Sequence, residues 1–112
     1  MQTLTEKPTI VKYRQEEFGG YLLKYTLYEE VADKEELYDM LGEKALFYDS
    51  FYSVKIETVS LKNTKDRVET ILPKMTVEKD KAVELLEFLN ENYITAEGAY
   101  DSLPDIVKTV GI

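Results

Sequence analysis

Apolar residues recur every second position in the first two thirds of the chain and at helical spacing in the last third. In "YLLKYTLY", Leu23, Tyr25 and Leu27 fall on one side and Lys24 and Thr26 on the other, as a half-buried strand requires. Residues 10–15 are similarly rich in β-branched and aromatic side chains. Gly19 and Gly20 separate the two runs and supply the positive φ of a tight turn, so residues 10–28 predict a β-hairpin. "ADKEELYDMLGEKA" then changes period. Asp33 can cap a helix, Glu36 completes a capping-box spacing, Leu37, Met40 and Leu41 recur at helical intervals, and Gly42 ends the run. With few apolar residues, this segment reads as a protruding, weakly held excursion between strands.

"LFYDSFYSVKIETVSLK" returns to strand, with Tyr52, Val54 and Ile56 alternating with Ser53, Lys55 and Glu57. "KNTKD" is a polar turn, and "RVETILP" a fourth strand that Pro73 closes or confines to a sheet edge. Thr76 is placed to cap a helix over residues 77–91, with Ala82, Leu85, Leu86 and Leu89 as its buried stripe. Asn92 stops it. Thr95 is placed to cap a further helix through Tyr100, which Pro104 interrupts before "SLPDIVKTVG" restarts with Ile106, Val107 and Val110 inward. Strands first and helices last predict an α+β domain: an antiparallel sheet of about four strands with the C-terminal helices packed on one face.

At 112 residues and 44% hydrophobic, the chain fits a single domain, residues 1–112, with one modest core. The N-terminus has no apolar signal core, no stretch approaches a membrane span, and there is no cysteine. These features predict a soluble, cytoplasmic protein. The net charge is −8, and it is uneven. Residues 28–49 hold eight acids and two bases (−6), residues 82–112 six and one (−5), residues 55–81 five and seven (+2), and residues 1–27 add +1. Nucleic acid and anionic membranes are repelled at long range by such a chain, and basic proteins are attracted.

Without histidine or cysteine, the usual neutral-pH proton shuttle and the best protein nucleophile are missing. There is no Ser-His pair, phosphate-cradling glycine loop or acidic calcium loop. The sequence predicts no catalytic residues, no metal and no cofactor. Candidate binding residues come from two acidic runs. Asp80, Glu84, Glu87 and Glu91, spaced 4, 3 and 4, form one stripe on a helix, where like charges at i, i+4 carry a small penalty. Glu29, Glu30, Glu35, Glu36 and Asp39 form the second, interleaved with Tyr28, Tyr38 and Tyr48. Acid beside aromatic suits a basic partner through charge and cation–π attraction. The plainer alternative for both runs is a solvated face. Nine tyrosines are present, and about half of them are expected to be mostly buried.

"YLLKYTLYEE", "YSVKIETVS" and "MTVEKDKAVELLEFLNENYITAEGAYDSLPDIV" together resemble an uncharacterised family of short acidic proteins from Gram-positive bacteria and their mobile elements. Relative to it, residues 33–51 look like an insertion, and "IVKTVGI" lacks an acidic ending. The resemblance implies no catalytic residues. It implies a mobile-element context, in which small acidic non-catalytic proteins often inhibit host defence nucleases, including CRISPR effectors, some by occupying a basic nucleic-acid channel. The expected partner is thus a basic protein, a nuclease or another nucleic-acid-binding protein, with no direct nucleic-acid or membrane contact. The alternative is an interaction module using apolar and tyrosine contacts, including self-association into a homo-oligomer through an open sheet edge.

Overall fold

A computed structural model describes residues 8–112. The N-terminal stretch read above for a signal core lies mostly outside them. Four antiparallel strands, β1 (Thr9–Phe18), β2 (Tyr21–Val31), β3 (Ser50–Ser60) and β4 (Arg67–Thr76), pair in the order β1-β2-β3-β4. Gly19 and Gly20 join β1 to β2 with φ of 62° and 84°, values that side chains with a Cβ rarely adopt. Between β2 and β3 lies an excursion, α1 (Lys34–Leu41) followed by a 3-10 segment (Gly42–Phe47). After β4 come α2 (Lys79–Glu91) and α3 (Ala99–Val110). The fold is α+β, an open antiparallel sheet with both C-terminal helices on one face.

The period-two pattern selects that face. Register sets Tyr25 opposite Ile56, Leu27 opposite Val54, and Val54 opposite Leu72. All five are fully buried, together with Ala82, Leu85, Leu86 and Leu89 of α2 and Ala99 and Ile106 of α3. Two inner-face groups tie the α2–α3 link to the sheet. The Tyr25 hydroxyl donates to the Ile94 carbonyl at 2.8 Å, and the Thr58 hydroxyl accepts from the Ala96 N–H at 2.9 Å.

Several local expectations are corrected. Thr76 ends β4 instead of capping α2. Its hydroxyl accepts from the Glu78 N–H, and Glu78 stands at the N-cap without a side-chain cap. Thr95 bonds the Gly98 N–H in a turn before the helix. Pro104 does not divide α3, which runs continuously through it. Pro104 and Tyr100 both lie on the exposed side, so the carbonyl freed by the missing N–H faces water. Of the two alternatives for Pro73 the structure has the edge: β4 runs past it to Thr76 as an edge strand, where a missing donor is tolerated. Residues 46–47, expected to begin a strand, belong to the 3-10 segment. Of the nine tyrosines only Tyr25 and Tyr52 are buried, fewer than expected.

The excursion is anchored more firmly than its composition suggests. Leu37, Ala45 and Phe51 form a second small core, with Val77 packed against it. Asp33 caps α1 through the Glu35 N–H at 2.9 Å. The capping box is not closed, because Glu36 turns away to Lys74 at 2.6 Å.

Burial, with a smaller push from Glu16, drives the Tyr25 phenol far above its usual range. A group whose pKa is raised on folding adds stability that is complete below its unfolded pKa and lost above it. Alkaline destabilisation is therefore expected to set in above about pH 10. Tyr25→Phe should cost about 1 kcal/mol at neutral pH by removing the bond to Ile94. Denaturation across pH 7–11 should show that the variant loses less stability than the wild type over the alkaline limb.

Candidate interaction surfaces

The acidic stripe on α2 does form, but it is not a uniform row of free charge. β1 leans its inner-face bases over the helix. Arg14 donates to Glu87 at 3.0 Å and Lys12 lies 3.5 Å from the same oxygen. Glu87 is thus half-buried and doubly paired. Glu84 has Lys81 at 3.7 Å, one turn back on its own helix. Asp80, beside Tyr48 and Tyr52 at the start of α2, and Glu91, at its end, are exposed. Like-charge repulsion along the stripe is relieved within the fold, and the spacing needs no external partner to explain it.

The second run divides differently. Glu29 and Glu30 are consecutive in β2, so they point to opposite faces. Glu29 approaches the Tyr52 hydroxyl, and burial, then the Glu29 charge and hydrogen bond, raise that phenol's pKa. Glu30 sits opposite Phe51 on the other face. Glu36 is tied to Lys74, whose ammonium also lies 5.5 Å above the Phe51 ring. Tyr28 is half-buried in the open sheet face near Lys55. Tyr48 is half-buried, and its carbonyl accepts from Lys34, which also holds Asp49. Glu35, Tyr38 and Asp39 remain together and exposed, lining a shallow groove with Lys34.

Sequence reasoning picked out Tyr38 but missed the other apolar members of this region. Leu46 and Phe47 are 77% and 81% exposed, and Met40 and Tyr38 are 56% and 55% exposed. Four large apolar side chains thus stand on one short excursion among Glu35, Asp39 and Glu43. Large apolar side chains exposed among charged ones on one element are a feature of interaction sites. Reading "LFYDSF" as one strand hid them. Alternation would have put Leu46 and Phe47 on opposite faces of a sheet, with one of them inside.

Among the described residues, no group of acids is arranged to hold a metal ion, and no helix is long and apolar enough to cross a membrane. Comparison with protein-family models, curated proteins and solved structures returns no match.

The two runs should respond differently to charge reversal. Glu87→Lys faces Lys12 and Arg14 and should lower stability by about 0.5–1 kcal/mol. Glu91→Lys, on an exposed position, should change it by under about 0.5 kcal/mol. Urea denaturation of both variants checks this, and 1 M salt should narrow the difference.

Proposed function

We propose that this chain is a small non-catalytic cytoplasmic binding protein, an inhibitor or regulator that docks on a basic, nucleic-acid-handling protein through its acidic excursion. The observation that carries this reading is the pair Leu46 and Phe47, almost fully exposed on a segment of net charge −6. Opposite charge speeds encounter and selects basic partners, while the apolar tip supplies buried area that charge alone does not. A groove evolved to hold phosphates offers the matching surface: lysine and arginine with apolar or aromatic walls for bases. Among the described residues the α2 stripe contributes Asp80 and Glu91 as acids without an ion-pair partner, so its part is secondary. The resemblance to mobile-element proteins supports an inhibitory role against a host nuclease.

Affinity capture with three baits tests the proposal: wild type, Glu35→Lys/Asp39→Lys, and Phe47→Glu. The expected result is a basic protein retained by wild type and lost with either variant. Capture should weaken sharply between 50 and 500 mM salt, and a single-stranded oligonucleotide should displace the partner. Retention that ignores salt and acid reversal but fails with Phe47→Glu would replace this reading with the apolar, tyrosine-based module.

A further inference from the structure

The sheet face opposite α2 and α3 is left open, and the strand registers define its pattern. Across β1, β2, β3 and β4, one row holds Glu17, Leu22, Val59 and Arg67. The next holds Gln15, Lys24, Glu57 and Glu69, and the third Tyr13, Thr26, Lys55 and Ile71. These rows carry three acids (Glu17, Glu57, Glu69) and three bases (Lys24, Lys55, Arg67), a net charge of zero on a chain of −8. Beyond these rows the same face carries Glu30, which lines a pocket with Tyr28 and Lys55, so most of the surplus negative charge lies elsewhere. Within these three rows a second copy therefore meets balanced charge.

The order within the rows goes further than neutrality. We propose that two copies pack open face to open face, about a two-fold axis parallel to the strands and midway between β2 and β3. That operation keeps each row over itself and reverses strand order, so β1 lies over β4 of the second copy and β2 over β3. Glu17 then faces Arg67 of the second copy, Lys24 faces Glu57, Leu22 faces Val59 and Tyr13 faces Ile71, each contact occurring twice as an isologous interface demands. A two-fold across the strands instead exchanges unlike rows and matches none of these pairs. Four strands with about eight uncovered residues each, at about 3.3 Å per residue and 4.8 Å between strands, give about 500 Å² per copy. The total of about 1,000 Å² is that of a weak, reversible interface. At the far end of this face Phe51 is covered by Leu37 and Ala45 of the excursion, and the three rows begin further along β3, at Lys55.

Sedimentation velocity from about 1 to 100 µM tests the arrangement, with a dissociation constant expected in the micromolar range. Glu17→Arg alone should weaken the dimer about tenfold or more, and so should Arg67→Glu. The double variant Glu17→Arg/Arg67→Glu should return it close to wild type. Arg67 also pairs with Glu57 inside the protomer, so Glu17→Arg is the cleaner single variant. A monomer throughout the range overturns the proposal. So does a dimer indifferent to both reversals, a double variant no tighter than the singles, or a dimer lost only with Phe47→Glu. The excursion-dependent capture above does not depend on this face, so failure of one leaves the other standing.

Discussion

Docking of the α2 leucine stripe on the inner faces of β2 and β3 is the contact on which the other features rest. Leu85, Leu86 and Leu89 meet Tyr25, Leu27, Val54 and Ile56 with no exposed surface on either side. A four-stranded sheet of this width is not stable without one covered face, and α2 and α3 cover one. Once α2 is seated, its acids must lie at the margin of the contact. Glu87 then comes beside Lys12 and Arg14, whose charged ends reach over the helix from the edge strand. The same seating brings Ile94 and Ala96 over Tyr25 and Thr58, so the link between the helices is fixed by buried hydrogen bonds.

What the sequence made legible follows from how local each cause is. Alternation in β2 and β3 and the stripe of α2 are set by residues two to four apart, and their faces emerge as read. The failures involve partners distant in sequence. Glu36 closes a capping box by spacing, yet Lys74, from a strand 38 residues on, takes its carboxylate. Glu87 belongs to an acidic row by spacing, yet two bases from the first strand neutralise it. Pro104 should break a helix, yet its loss of one donor falls on the wet side of a strongly amphipathic segment. Leu46 and Phe47 carry strand propensity, but Leu37, Ala45 and Phe51 already fill the small core beside them and leave them outside. Local composition could not separate an acid held within the fold from an acid left over.

That separation reshapes the electrostatic picture. Of the residues proposed for partner binding, Glu36 and Glu87 are paired within the chain, and Glu29 and Glu30 are split between two faces. Glu35 and Asp39 keep an open environment beside Tyr38, and the apolar tip lies on the same excursion. A long acidic row mimicking a phosphate backbone is therefore a weaker description than a charged excursion with exposed apolar side chains. A charged row depends on many weak, screened contacts. A tip concentrates its energy in a few desolvated side chains, with charge governing encounter.

The two surfaces are linked through the direction of the proposed two-fold axis. An axis along the strands sends the excursions of both copies to the same end of the dimer. Two segments of −6 are then brought near each other, and their repulsion opposes dimerisation at low salt. A basic partner bridging both tips would remove that repulsion, so partner binding and self-association would reinforce each other by the same free energy in either order. Bivalent engagement would also raise apparent affinity without any new contact, provided the partner's groove spans both tips. A partner that covers only one tip would leave the repulsion in place and gain nothing from the dimer. Coupling between the two equilibria is thus decided by the length of the basic surface, and it requires no conformational change in this chain.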